Sequence, residues 1–333
     1  MKRLSYLMPR VYDPDNLRLA AWKAAKGKRH SAPVLAFQDN FEENIASIRQ
    51  ELIDGTAQFG GYTCFKIFDP KERQICAPPF REQVIHHALM NVCHDRFEAH
   101  QVSESYASRI GKGVHAALEK AKTHTRHSAW YLKLDVKKFF DSVHHGVSKG
   151  QLAAMFKDVE LLTTFYAIID SYEASPERGV PIGNLSSQYF ANHYLTGLDR
   201  FIKQELRVKA YVRYMDDLVL WHHDKFFLKD AHRQIRHYIA EQLSCEVKPE
   251  ALNRTVLGLP FLGFRIFPHN VMLTHHSQQR FIRKMKRVHY NYHTCGWSEE
   301  KAGRHALSLL AFVKNADTQA MRAKLQDILY AIP

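Results

Sequence analysis

The chain has few cysteines, no long apolar run and fewer acidic than basic residues. Its cysteines never fall in C-x-x-C spacing, which predicts reduced thiols in a cytoplasmic protein and no zinc site. The absence of a long apolar run predicts a protein without a membrane span. The cysteines are Cys64, Cys76, Cys93, Cys245 and Cys295.

The charge imbalance is the first positive signal. Lys and Arg number 47 against 34 Asp and Glu, a formal net charge of +13 over 333 residues. Such an excess predicts a polyanionic partner, most simply nucleic acid, with an anionic membrane surface as the alternative. No Gly/Ser-rich linker or internal repeat divides the chain, and two amphipathic helices are predicted over 39–54 and 226–243.

Two adjacent carboxylates lie between β-prone runs in the segment 211–221. The runs predict a hairpin with Met215-Asp216-Asp217 at its tip. Neighbouring carboxylates repel each other, and a hard divalent cation such as Mg²⁺ is the usual reason to keep them together. A solvated Asp-Asp turn is the alternative.

A third carboxylate, Asp135, belongs to a run in which aliphatic residues occupy every second position. This alternation predicts a strand with Asp135 on the face opposite the aliphatic side chains. In that run Leu132, Leu134 and Val136 alternate with Tyr131, Lys133 and Asp135. With Tyr214-Met-Asp-Asp217, which matches a YxDD signature, this strand resembles the palm of a reverse transcriptase.

The resemblance implies an α+β protein with the right-hand polymerase fold. Its palm would be an antiparallel sheet packed on helices, and its thumb would be helical. We expect an N-terminal segment and fingers over 1–128, with part of 145–180 added to the fingers. The palm is expected over 129–265 and the thumb over 266–333.

The segment 62–80 predicts two strands around a turn at 69–72, and in reverse transcriptases such a fingers hairpin grips the incoming triphosphate. Phe140 resembles the aromatic steric gate that favours dNTP over rNTP; a core phenylalanine is the alternative. The resemblance assigns dNTP binding to Lys66, Arg73, Phe140, Pro181, Ile182, Gly183, Gln188 and Lys248.

The stretch Ile182-Gly-x-x-x-Ser-Gln188 resembles the pattern of reverse transcriptases from diversity-generating retroelements. Most reverse transcriptases have Gln where this chain has Ile182. Loss of an amide that checks base and sugar geometry predicts more misincorporation. The resemblance implies adenine-directed, mutagenic cDNA synthesis together with a structured template RNA and a small basic accessory protein.

Nucleic-acid contacts are predicted in the G-K-G loop before a helix, in the palm hairpin, in a primer-grip-like turn and on a basic thumb helix. Exposed cations on a solvated face are the alternative for the thumb. The residues so assigned are Arg109, Lys112, Tyr214, Met215, Leu262, Gly263, Arg283 and Lys284.

The resemblance implies two-metal nucleotidyl transfer, with attack of a primer 3′-hydroxyl on the dNTP α-phosphate and release of pyrophosphate. Asp135, Asp216 and Asp217 are the predicted catalytic residues, and with Val136 they would hold two Mg²⁺ ions, for which Mn²⁺ can substitute. Expected partners are template RNA, an RNA–DNA hybrid and dNTPs. The alternatives are a related antiphage-defence reverse transcriptase with its own noncoding RNA, and a non-catalytic RNA-binding scaffold.

Overall fold

The computed structural model describes residues 3–68 and 72–330, which mix helices with short antiparallel sheets. The helices are α1 Met8–Val11, α2 Pro14–Ala24, α3 Ala32–Asp39, α4 Phe41–Asp54, α5 Phe80–His100, α6 Val114–Arg126, α7 Phe139–Ser142, α8 His145–Met155, α9 Val159–Asp170, α10 Leu185–Tyr194, α11 Thr196–Arg200, α12 Lys225–Leu243, α13 His275–Thr294, α14 Glu299–Val313 and α15 Gln319–Tyr330. The strands are β1 Thr63–Phe68, β2 Glu72–Ala77, β3 Trp130–Asp135, β4 Ala210–Tyr214, β5 Asp217–His222, β6 Ala251–Arg254, β7 Leu259–Phe261, β8 Phe264–Ile266 and β9 Val271–Leu273. A π-helical turn covers Phe201–Glu205 and a 3₁₀ turn covers Thr255–Leu257.

The chain divides into two compact units, each built from three separate stretches. The first unit comprises Met1–Arg109, Asp135–Leu206 and Arg233–Lys248. The second comprises Ile110–Leu134, Arg207–His232 and Pro249–Pro333. The predicted linear partition into fingers, palm and thumb stays a prediction.

The first unit is mainly helical, and its core is rich in aromatic rings. Phe97 on α5 contacts Phe156, Phe165 and Phe190 edge-on or tilted, with ring centroids 5.9–6.4 Å apart. Such pairs add to the free energy gained by burying apolar surface. The predicted helix over 39–54 is present as α4, and it ends at Gly55 in the left-handed conformation that favours glycine.

The second unit holds a four-stranded sheet, a three-stranded sheet and three C-terminal helices. The larger sheet has the order β4-β5-β3-β6, and the smaller has the order β7-β8-β9. Period-two burial in β3 holds for Leu132 and Leu134, but Tyr131 is also buried, contrary to the predicted alternation. Phe281, Val313 and Leu325 form a separate core among the C-terminal helices. No helix in the described residues is long and apolar enough to cross a membrane.

The hairpin β1–β2 corrects the prediction that all the cysteines are reduced. Cys64 and Cys76 are directly opposed in its register and form a disulfide, with their Cα atoms 4.1 Å apart. The spacing of 12 residues gave no C-x-x-C signal, because the pairing arises from strand register rather than from local sequence. Residues 69–71 of the predicted turn lie outside the described residues.

Candidate active site

The hairpin β4–β5 presents the Asp-Asp pair through a very tight turn. Tyr214 pairs with Asp217, so only Met215 and Asp216 form the loop. Met215 has a φ of 55°, which two-residue hairpin loops require and which methionine rarely adopts. Arg213, fully buried, donates from Nη1 to the Met215 carbonyl oxygen at 3.1 Å. Arg213 therefore helps to hold this turn, a role that the sequence did not indicate.

Asp217 is the first residue of β5 rather than part of the tip, and it is held by a lysine. Lys133 Nζ lies 3.0 Å from Asp217 Oδ1, and the two side chains are only 22% and 24% exposed. Lys133 was not predicted as a site residue. Its signal is the two-residue periodicity of β3, which gives Lys133 the same face as Asp135.

Asp135 is likewise held by a lysine. Lys248 Nζ lies 2.6 Å from Asp135 Oδ1, and the Lys248 amide donates to the Asp135 carbonyl oxygen at 2.9 Å. A β-bridge between Val136 and Val247 fixes the same pair of segments. Lys248, predicted for dNTP binding, thus neutralises a predicted catalytic carboxylate in this structure.

The chemistry of these carboxylates fits a hard divalent cation. Within residues 3–68 and 72–330, no group of three or more His, Cys, Asp or Glu side chains forms a ready-made metal site. Asp135 and Asp217 each have a lysine ammonium where a cation would otherwise supply positive charge. Carboxylate oxygens are the donors that Mg²⁺ prefers, so the predicted ligand set is compatible with that ion.

The loop 179–184 is held in the first unit by hydrogen bonds from both sides. The Val180 amide donates to the Phe140 carbonyl oxygen at 2.9 Å, and the Cys76 amide donates to the Ile182 carbonyl oxygen at 2.8 Å. Gly183 has a φ of 132°, and a Cβ there would lie 2.9 Å from the Cys76 oxygen. The backbone that carries the predicted dNTP residues Pro181, Ile182 and Gly183 is therefore bonded to the hairpin β1–β2.

Two more of the predicted dNTP residues adjoin this loop. Phe140 accepts a hydrogen bond from it through its carbonyl oxygen, and Gln188 follows it by four residues in the sequence. Phe140 is half-buried, with its ring 5.8 Å from that of Phe139, which is buried in the core. Gln188, on α10, accepts a hydrogen bond from the Ser108 hydroxyl at 3.2 Å. The partial exposure of Phe140 is compatible with a steric gate.

The two cations predicted to grip the triphosphate, Lys66 and Arg73, do not share one face of the hairpin β1–β2. Lys66 is opposite Gln74, whereas Arg73 is opposite Ile67, so alternation assigns Lys66 and Arg73 to opposite faces. Lys66 also pairs with Glu72 at 2.6 Å, and this contact raises the pKa of its ammonium. The expected joint grip on one triphosphate does not follow from this conformation.

Arg109 has an internal role, which revises its predicted contact with the template. Its side chain is 8% exposed, its Nε and Nη2 donate to Glu98, and its Nη1 donates to the Val102 and Ser105 carbonyl oxygens. The hydrogen bonds from all three nitrogens of the guanidinium thus hold the segment after α5 against that helix. Lys112 lies half-buried in the turn just before α6.

The remaining predicted nucleic-acid residues lie in the second unit. Leu262 and Gly263 form the two-residue turn between β7 and β8, with φ values of 50° and 88°. A Cβ on Gly263 would meet the Ser277 hydroxyl at 2.7 Å, so this turn packs directly on α13. On α13, Arg283 is exposed and Lys284 is half-buried. Tyr214 ends β4, and its burial raises the pKa of its hydroxyl group.

Comparisons with known proteins relate the chain to one family. A family model described as reverse transcriptase (RNA-dependent DNA polymerase) matches residues 69–266. Group II intron-encoded protein LtrA of Lactococcus lactis subsp. cremoris is 27% identical over 173 residues, which cover 49% of this chain and 29% of that protein. Protein YkfC of Escherichia coli (strain K12) is 22% identical over 225 residues, covering 61% of this chain and 58% of that protein.

Solved structures share the fold at low identity. Telomerase from Candida tropicalis in complex with a TWJ fragment of telomeric RNA has a TM-score of 0.52 and 12% identity, with 85% of this chain and 58% of that chain covered. Apo telomerase from the same organism has a TM-score of 0.53 and 12% identity, covering 87% and 64%. The right-hand polymerase fold predicted for the chain is therefore confirmed.

Proposed function

Because the chain belongs to the reverse transcriptase family of RNA-directed DNA polymerases, we propose that it copies a structured noncoding RNA into cDNA with reduced fidelity. The geometry of the hairpin β4–β5 carries this proposal. The turn fixes Asp216, and Asp217 forms an ion pair with Lys133, which is on the same face of β3 as Asp135. The diversity-generating retroelement type is inferred from the stretch Ile182-Gly-x-x-x-Ser-Gln188.

Asp135, Asp216 and Asp217, with the Val136 carbonyl, are the proposed ligands of two Mg²⁺ ions, for which Mn²⁺ can substitute. When bound, such ions lower the pKa of a primer hydroxyl and neutralise a triphosphate. The side chains of this protein provide positioning. The tight turn fixes Asp216, and the lysine partners keep the other carboxylates in place before substrate binds.

The nucleotide-selecting residues are proposed to be Phe140 and Ile182. Phe140 would exclude a 2′-hydroxyl by its ring, and it shares a backbone contact with Val180 of the loop. Ile182 offers the nucleotide no side-chain donor or acceptor, so polar checking of the base is weak and misincorporation rises. Lys66 and Lys248 are the proposed triphosphate contacts, with Arg73 on the other hairpin face.

Template RNA and an RNA–DNA hybrid are the proposed macromolecular ligands. The net charge of +13 supports a polyanionic partner, and a matched telomerase is described in complex with RNA. Leu262 and Gly263 would support the primer end, while Arg283 and Lys284 would contact the nucleic-acid backbone. A small basic accessory protein and a cytoplasmic location complete the proposal.

Primer extension on defined RNA and DNA templates, followed by sequencing of the products, tests this function. The protein is assayed alone and with its native RNA and accessory protein. cDNA with errors concentrated at template adenines supports the proposal. Accurate or repetitive DNA restricted to one template supports a defence enzyme instead, and RNA binding without any synthesis supports a scaffold.

Replacing Ile182 by Gln tests the proposed source of errors. The variant restores an amide in the loop, and we expect fewer errors at template adenines. Unchanged fidelity would remove Ile182 from the explanation while leaving the polymerase assignment intact.

A further inference from the structure

A buried hydrogen-bonded chain of three side chains lies behind the loop 179–184. Glu82 Oε1 is 3.1 Å from His86 Nε2, and His86 Nδ1 is 2.8 Å from the Ser186 hydroxyl oxygen. Glu82 and His86 are one turn apart on α5, whereas Ser186 lies in the first turn of α10. The three residues are 4%, 1% and 0% exposed, respectively.

The order carboxylate, imidazole, hydroxyl is the one used to activate a serine nucleophile. Here the serine hydroxyl is fully buried, so no substrate reaches it. A carboxylate only accepts, so His86 Nε2 donates to Glu82, which leaves Nδ1 to accept a hydrogen bond from the Ser186 hydroxyl. Both nitrogens of His86 are therefore used: Nε2 binds Glu82 within α5, and Nδ1 joins α5 to α10 through Ser186.

The other oxygen of Glu82 extends this chain toward the fingers hairpin. Glu82 Oε2 accepts from the Gly60 amide at 3.2 Å, just before β1. Close by in sequence, the Tyr62 hydroxyl accepts from Asn184 Nδ2 at 3.2 Å. The segment that leads into β1 is thus bonded both to α5 and to the residue that precedes α10.

These contacts surround the loop that carries Ile182. The Cys76 amide donates to the Ile182 carbonyl oxygen at one side, and Ser186 follows four residues later at the other. Gly183 has no space for a Cβ against Cys76, so the loop backbone lies close against β2 at this point. The loop therefore connects a close contact with β2 to the start of α10, where Ser186 is bonded to His86.

We propose that Glu82, His86 and Ser186 form a positioning relay that sets the place of the Ile182 loop and thereby nucleotide affinity and selection. The inference rests on the proposed function and deepens it. None of the three residues contacts the nucleotide; they act through the backbone of α10 and the loop. The relay also explains why three polar side chains are buried here, since each one satisfies the hydrogen-bonding groups of its neighbour.

The test compares Ser186→Ala with a matched control. Ser105→Ala also removes a fully buried serine hydroxyl, which lies 3.4 Å from Asn192 Oδ1 near the far end of α10. In Ser186→Ala, His86 Nδ1 loses its buried hydrogen-bond partner, and we expect the KM for dNTP to rise about five- to tenfold, with kcat changed less than twofold. Ser105→Ala should leave the KM within twofold.

A double-mutant cycle separates positioning from a general loss of stability. If the relay acts through the loop, the effects of Ser186→Ala and Ile182→Ala on the KM for dNTP are non-additive. Effects that simply multiply would overturn the proposal. Thermal unfolding checks that each variant is folded, and Glu82→Gln, which keeps the shape of the side chain, replaces Ser186→Ala if that variant unfolds.

Equilibrium binding of a fluorescent dATP analogue to the protein with primer–template keeps the outcomes distinct. If the wild-type chain makes no DNA, the proposed function fails, while weaker analogue binding by Ser186→Ala than by Ser105→Ala still supports the relay. If the wild type extends primers but the two serine variants show equal affinity and equal error spectra, the relay is overturned and the polymerase assignment stands.

Discussion

The hairpin β4–β5 and the loop 179–184 carry the two most informative motifs, but they are built in opposite ways. In the hairpin, a two-residue turn and an unbroken register from Ala210 to Trp221 fix the carboxylates locally. The loop has no such regular partner strand. Hydrogen bonds to Phe140 and Cys76, both distant in sequence, determine its conformation instead.

The difference shows where each motif is vulnerable. A hairpin with matched strands tolerates the loss of one side-chain function, so a changed carboxylate should alter chemistry more than shape. The loop depends on close backbone approach at Gly183, so a small change in volume should alter shape first. Substitutions in the two regions therefore have different kinetic signatures.

The largest expected effect is that of Asp216→Asn in the hairpin turn. The substitution keeps the side-chain size but removes the negative charge proposed to hold Mg²⁺, so we expect primer extension to fall by about 10²–10³-fold or more. Nucleic-acid affinity should change little. Single-turnover extension and filter binding measure the two quantities.

Asp224→Asn is the matched control for that variant. Asp224 is an exposed carboxylate after β5 that accepts from the Phe226 amide, a task that asparagine performs equally well. Extension should stay within twofold of wild type. Equal losses in Asp216→Asn and Asp224→Asn would mean that the charge at Asp216 has no special part in catalysis.

Gly183→Ala is the corresponding break in the loop. With φ at 132° and a Cβ 2.9 Å from the Cys76 oxygen, alanine strains the loop, and we expect the KM for dNTP to rise about tenfold. Steady-state kinetics at saturating primer–template measure it. Gly55→Ala also has a positive φ but meets nothing within 4 Å, and should leave the KM unchanged.

Sequence reasoning succeeded where the structure is local. The hairpin and the helix over 39–54 follow from periodicity and from turn or cap residues. It failed for Lys133, whose partner depends on the packing of strands, for Arg213, whose bond to the Met215 carbonyl oxygen depends on the conformation of the turn, and for the Cys64–Cys76 disulfide, which depends on register.

The same limit explains the cations that were assigned by resemblance. The resemblance assigned Lys66 and Arg73 the same role, binding of the triphosphate. Only the strand register shows that they are on opposite faces of the hairpin. Arg109 was assigned by its place before a helix, and its bonds to Glu98 became visible only with α5 in place. Charge in a sequence predicts a partner class, whereas packing decides which charges remain available for it.

Lys133→Met probes how far the hairpin depends on its neighbour β3. Asp217 would lose its ion pair while staying three-quarters buried, so we expect the free energy of unfolding to fall by about 1–2 kcal/mol. Urea unfolding measures this change. Lys122→Met removes an exposed pair with Glu119 in the same unit and should cost about 0–0.5 kcal/mol. Equal costs would show that the Lys133–Asp217 pair adds nothing special.

The smallest expected effect is that of removing the disulfide beside the loop. In Cys64→Ser, the β1–β2 register keeps its other five residue pairs, and the Cys76 amide that donates to Ile182 is unchanged. Loss of the cross-link removes only one of the contacts that hold β1 to β2. We therefore expect the KM for dNTP to rise about two- to threefold. Kinetics with and without dithiothreitol measure it: reductant should raise the KM of the wild type to that of Cys64→Ser and leave the variant unaffected. If dithiothreitol changed the KM equally in both proteins, the sensitive thiol would lie elsewhere. If Cys64→Ser raised the KM as much as Gly183→Ala, the loop would depend on the cross-link more than on its backbone hydrogen bond.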